Sequence, residues 1–194
     1  MATRKPTTPK HWGSTFQAVV TRESGRTHKS SVWVLREGSE PAQAREESER
    51  LRHISDLLGG PKVVGRYPAD SLAAHEMLER GLPNTAIKHL LDGMTTLAQK
   101  SIESAIGMSV RTRQRREKHP TELLSQDQTG RTWKLAELLT RATSAFGSRT
   151  AAEQWLAQPA TGLDQRRPID LLTTPAGVEL VEDFLGRIEY GVYT

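Results

Sequence analysis

The chain has 194 residues, no cysteine, six histidines and a formal net charge of +4 at pH 7. That length suits one or two small domains, and 36% hydrophobic with only 5% aromatic residues points to small helical cores. The lack of cysteine excludes disulfides and thiolate metal sites and fits a reducing, cytoplasmic home. No stretch approaches the ~18 consecutive apolar residues of a membrane span, and no apolar signal core follows the basic, polar segment Met1 to Lys10.

The charge is unevenly distributed. Met1 to Ser31 holds six Lys/Arg and one Glu, Ser109 to Lys118 holds five Lys/Arg and one Glu, and Ala151 to Thr194 holds three Arg and seven Asp/Glu. A polyanion would be attracted to the middle of the chain and repelled by its acidic end. Two partners of opposite character are therefore expected.

In chain order, the first third is the least regular. Thr15 to Thr21 and Ser30 to Arg36 tolerate strand readings around a Ser24-Gly25 turn, which gives room for a β-hairpin. Ala42 to Leu58 reads as a helix, broken at Gly59-Gly60-Pro61. This glycine pair is a turn and not a phosphate loop, because the glycine spacing and the Lys-Ser/Thr ending are missing. From Asp70 the pattern is regular. Asp70 or Ser71 caps a helix ended by Gly81 and Pro83, and Asn84 caps another over Thr85 to Asp92. Helices follow over about Thr96 to Ile106, Ser109 to Lys118 and Gln126 to Phe146. Ser148 caps a short helix with Trp155 and Leu156. Thr174, with Pro175 at the first helical position, opens a last helix. Its apolar positions Val178, Val181, Leu185, Ile188 and Val192 are spaced three and four apart, a coiled-coil-like seam that serves either a core or a partner.

The chemistry is concentrated at Gly107-Met108-Ser109. A helix-turn-helix needs a glycine where the chain takes a positive φ, then a buried residue, then an N-cap. The helix that follows carries Arg111, Thr112 and Gln114, whose donors and acceptors suit base edges. Arg115, Arg116 and Lys118 suit phosphates, and Gln99, at the start of the preceding helix, is placed to touch the DNA backbone. Arg113 stands where such a helix usually buries an aliphatic side chain, which predicts a weakly anchored reader. The histidines have no ligand spacing and no metal site is expected. No activated nucleophile, paired carboxylate or phosphate loop marks an enzyme, and no cofactor is expected.

The segment from Tyr67 to Thr194 resembles the Xre/MbcA/ParS antitoxins. The residues that carry the resemblance are Arg167-Pro168-Ile169-Asp170-Leu171-Leu172, then Thr174 and Gly177, and the closing Gly186-Arg187-Ile188-Glu189-Tyr190-Gly191-Val192-Tyr193. Phe146-Gly147 and Trp155-Leu156 fall in the same order, and Gly107 to Arg116 is similar to the family's helix-turn-helix. The resemblance implies a mainly α protein in three parts: an N-terminal arm (1–66), a helix-turn-helix bundle (67–124) and a small all-helical toxin-binding and dimerisation domain (125–194). It implies an antitoxin that neutralises a RES-domain toxin, one that consumes NAD⁺ or transfers ADP-ribose. The end of the chain (Arg187, Glu189, Tyr190, Gly191, Val192, Tyr193 and Thr194) would lie in the toxin's cleft, and the protein would repress its own operon as a homodimer on operator DNA. The competing reading is a stand-alone transcription regulator whose C-terminal domain only dimerises.

Overall fold

The computed structural model of the chain describes residues 19–23, 26–30 and 42–191, and the chain divides into two compact units, Met1–Pro41 and Ala42–Thr194. In the first unit, β1 (Val19–Glu23) and β2 (Arg26–Ser30) pair antiparallel, with Val19 opposite Ser30 and Glu23 opposite Arg26. The Ser24-Gly25 turn and the outer parts of both expected strands lie outside the described residues.

The second unit is mainly α. Among the described residues it contains α1 (Ala42–Leu57), α2 (Pro61–Val64), α3 (Ser71–Arg80), α4 (Asn84–Asp92), α5 (Gln99–Ile106), α6 (Val110–Arg116), α7 (Gln126–Phe146), α8 (Arg149–Ala157), α9 (Pro168–Leu171) and α10 (Pro175–Glu189). The unit begins at Ala42, so α1 and α2, which fall within the expected arm 1–66, are built into the helical body. A single helical turn, α2, follows the expected glycine break, with Pro61 at its first position.

α7 is the spine. It packs against α1, α3, α5, α8 and α10, so it buries a wide face: Thr132, Trp133, Leu135, Ala136, Leu138, Leu139 and Ala142. A helix enclosed on several sides needs more than the narrow stripe of a surface helix. Caps fix the ends as the sequence predicts. Asp70 accepts from the Ala73 N–H, Ser125 from Gln128, Ser148 from Ala151 and Thr174 from Gly177. Asn84 is the exception. Pro83 occupies the N-cap of α4, and the buried Asn84 amide donates to the His119 carbonyl at 2.7 Å. The Asn84 side-chain oxygen, the acceptor a cap would need, instead accepts from Arg116 Nη1 at 2.9 Å, so it is not free to cap its own helix.

Gly130 lies inside α7 with nothing within 4 Å of the position a Cβ would take. Gly130→Ala is therefore expected to stabilise the protein by about 0.5–1 kcal/mol, a Tm rise of roughly 1–4 °C. Thermal unfolding followed by circular dichroism checks this, and an unchanged or lower Tm would contradict it.

Candidate nucleic-acid and toxin interfaces

α5, the Gly107 turn and α6 form the first site. Gly107 has φ +75° and ends α5, with its N–H on the Ser104 carbonyl and the Met108 N–H on the Glu103 carbonyl. Such a left-handed C-cap favours glycine because a Cβ would crowd the carbonyl. Met108 is buried, and Ser109 caps α6 by accepting from the Thr112 N–H at 3.1 Å.

α6 then sorts its side chains by face. Arg111, Gln114, Arg115 and Lys118 are all exposed, and their spacing of three, one and three places them on one side of a helix that α6 begins and the turn after it completes. Gln99 is exposed at the start of α5. It also lines a cavity of about 260 Å³ with Ile87, Leu91, Met108 and Arg113. Ser109 and Thr112 are engaged with each other, their hydroxyl oxygens 2.8 Å apart, and so act mainly as the cap. Arg116 differs from the expectation of a free phosphate contact. Its Nη1 donates to Asn84 Oδ1 at 2.9 Å and to the Leu123 carbonyl at 3.3 Å, so it ties α6 to α4 and to the turn before α7. Sequence reasoning missed Val110, which is 47% exposed beside the polar row. Its position immediately after the cap was the available signal, and an aliphatic side chain there suits a thymine methyl.

Arg113 overturns the expectation of a weakly anchored reader. Its Nε donates to Glu103 Oε1 at 2.6 Å, and Nη1 pairs with Glu117. The Glu103 side chain is only 4% exposed. An ion pair between α5 and α6 thus does the work that an aliphatic contact would otherwise do.

The second site is the surface of α8, α9 and α10. Arg167 holds Asp170 through two bonds of 2.6 and 2.7 Å. This hydrogen bond with Asp170, and its charge, raise the arginine pKa above its ordinary value. Pro168 and Ile169 are buried. The Leu171 carbonyl lies 2.0 Å from where a Cβ of Gly177 would stand, so only glycine lets α9 close onto the start of α10. The first three positions of the seam expected on the last helix, Val178, Val181 and Leu185, face inward. Val181 and Leu185 are fully buried, and Val178 and Phe184 pack on the same core. Val178, Val181 and Leu185 of that seam are therefore core, and Val192 lies outside the described residues.

Among the exposed residues of α10 are Leu180, Asp183 and Arg187, followed by Tyr190. They are again spaced three, four and three. Phe146, Trp155 and Phe184 form a ladder with centroid separations of 5.5 and 6.3 Å, and the Arg187 guanidinium lies 5.6 Å from the Phe184 ring centroid. Tyr190 is 85% exposed, and Gly191 has φ +67°. Glu189 is committed within the chain: Arg141 of α7 holds it at 2.7 and 3.2 Å, and this hydrogen bond raises the Arg141 pKa despite burial. Val192, Tyr193 and Thr194 lie outside the described residues.

No helix among the described residues is long and apolar enough to cross a membrane. The architecture is that of a helix-turn-helix protein with a helical binding domain built onto it. Residues 73–137 match the antitoxin Xre-like helix-turn-helix domain, and residues 141–191 match the antitoxin Xre/MbcA/ParS C-terminal toxin-binding domain. An Antitoxin Xre of Photorhabdus laumondii subsp. laumondii is 27% identical over 132 residues, covering 68% of this chain and 88% of the relative. An Antitoxin Xre of Yersinia enterocolitica is 29% identical over 100 residues, covering 51% and 67%. The chain belongs to the Xre/MbcA/ParS antitoxin family.

Proposed function

We propose that this antitoxin neutralises a toxin of the RES class in the cytoplasm and represses its own operon. The DNA-reading part falls in residues 67–124 and the toxin-binding part in residues 125–194, with α7 serving as the floor of both. The observation that carries the toxin half is the outward row Leu180, Arg187 and Tyr190 on a domain of the toxin-binding family. Aromatic and arginine side chains are the usual anchors of such interfaces. Arg187, Tyr190 and Gly191, with Val192, Tyr193 and Thr194 beyond them, enter the toxin's NAD⁺ cleft and block it. Growth rescue on co-expression with the toxin, with cellular NAD⁺ measured alongside, tests this; an undiminished loss of NAD⁺ sinks it.

The DNA half rests on the exposed row Arg111, Gln114, Arg115 and Lys118, with Gln99, Ser109 and Thr112 at the same edge. A single reader covers one half-site, so two copies act together on a two-fold operator; light scattering that gives a monomer bound to operator DNA would remove the dimer. Arg111→Ala is expected to weaken operator binding by about 1–3 kcal/mol and to relax specificity at one position. Lys118→Ala is expected to weaken all sequences alike and to reduce the salt slope by about 1. Mobility shifts over a salt series check both, and wild-type affinity in Arg111→Ala rules out α6 as the reader.

A further inference from the structure

Glu153 stands on α8, within the stretch that matches the toxin-binding domain, yet its carboxylate serves the helix-turn-helix. The side chain is 1% exposed. Its Oε2 accepts the backbone N–H groups of Thr95 and Thr96, both at 2.8 Å, and its Oε1 accepts from Arg149 Nε at 3.1 Å. Thr95 and Thr96 belong to the loop between α4 and α5, and on either side of them Met94 and Leu97 are buried in the core. α5 has no cap of its own: Ala98 occupies the N-cap and offers no side-chain acceptor. Backbone N–H groups of a half-buried loop need some partner, and a carboxylate from α8 supplies it for the two loop donors ahead of α5. Gly93 completes the arrangement, because a Cβ there would lie 2.9 Å from Arg149 Nη2.

This loop leads directly into α5. That helix holds α6 through Glu103 and Arg113 at one point and through the Gly107 turn at another. On the opposite side α5 packs against α9, and Arg131, whose side chain lies 3.7 Å from the Cβ position of Gly107, donates to the Thr173 carbonyl at 2.9 Å. The helix that carries the reader, α5, thus meets the toxin-binding domain both at its entry loop and along its body. We infer that Glu153 is a positioning residue for DNA reading: it fastens the Thr95–Thr96 loop and so sets the pose of α5 and α6. This rests on the reading of α6 as the DNA-contacting helix.

The side chains of Thr95 and Thr96 are exposed, so water replaces the carboxylate when it is removed, and the loop loosens without the core opening. The test uses the full chain and a duplex carrying the sequence upstream of its own gene. Glu153→Leu removes both acceptors, and Glu153→Asp keeps the charge but falls one methylene short. Each is expected to lower duplex affinity about tenfold and to release the Thr95 and Thr96 amides to hydrogen exchange. Glu153→Gln still offers an oxygen to both N–H groups, so it is expected to keep the amides protected and the affinity within about threefold. A merely structural loss would not be rescued by Gln and would show in Tm, which Glu153→Asp is expected to change little. If Glu153→Leu fails to fold, Glu153→Asp alone decides. Released amides with wild-type affinity in either variant overturn the inference, as does protection that survives in both. A wild-type chain without affinity for the duplex removes the DNA-reading proposal and this inference together, whereas wild-type binding matched by Glu153→Asp removes only the inference.

Discussion

Arg113→Ala is expected to destabilise the protein by about 3–5 kcal/mol, because it strands a buried carboxylate without its counter-charge. Glu103 is 4% exposed, and its only side-chain bond among the described residues is the one Arg113 Nε supplies at 2.6 Å. The arginine is itself four-fifths buried, so solvent screens the pair weakly. A loss of that size is a large fraction of the ~5–15 kcal/mol by which small proteins are stable. The contrast is the double variant Glu103→Leu/Arg113→Leu. It removes both charges and restores the aliphatic contact more usual at this position, so it is expected to be neutral or more stable than wild type, by up to about 4 kcal/mol. Glu117, the second partner of Arg113, is 53% exposed, and Glu117→Gln is expected to cost under about 1 kcal/mol. Urea denaturation of the four proteins checks the series. A loss below about 1 kcal/mol in Arg113→Ala would show that apolar burial around Met108 holds α6 without the ion pair.

This pair also shows where sequence reading reached its limit. Gly107, Met108 and Ser109 were legible because each satisfies a local rule: a positive φ, a buried spacer and a cap. The boundaries of α7, the Ser148 cap and the Thr174-Pro175 start of α10 were legible for the same reason. What was hidden depends on groups distant in sequence. Arg113 reads as a defect until Glu103, ten residues earlier, is placed opposite it. Asn84 reads as a cap until Arg116, 32 residues later, claims its side-chain oxygen. Thr96 reads as the start of a helix, but Glu153, 57 residues away, holds its N–H in a loop and α5 begins at Gln99. Periodicity identified the seam of α10 but not its direction, since a three-four stripe looks the same whether it meets its own core or a partner. In α10 both kinds of stripe occur: Val181 and Leu185 face inward, and Leu180, Arg187 and Tyr190 face outward. The row of exposed cations on and just after α6 was partly legible. Arg116 shares the composition of Arg115 but not its face, because Asn84 and Leu123 draw it in.

Removing residues 190–194 is expected to abolish neutralisation while leaving operator binding within about threefold of wild type, since distant sites act nearly independently. Tyr190 presents a large amphipathic ring that the fold leaves 85% exposed, and its backbone N–H ends α10 on the Gly186 carbonyl. An exposed ring at the end of a rigid helix loses little conformational freedom when a partner covers it, so most of its contact area contributes to affinity. Arg187, one turn earlier, is steadied over Phe184 and keeps its donors for a carboxylate, a phosphate or a carbonyl of the partner. Arg187→Ala and Tyr190→Ala are each expected to weaken the toxin complex by more than about 1 kcal/mol, or at least several-fold in Kd. Glu189→Ala is the internal control. Its carboxylate is held by Arg141, so it is expected to loosen the α7–α10 contact and lower Tm while protecting cells almost as well as wild type. Growth and NAD⁺ in cells co-expressing the toxin, with Kd measured on purified proteins, read out the series. Cells that carry the 190–194 deletion yet grow and keep their NAD⁺ would move the neutralising surface to the ladder of Phe146, Trp155 and Phe184, and Trp155→Ala would then be the variant that fails to protect.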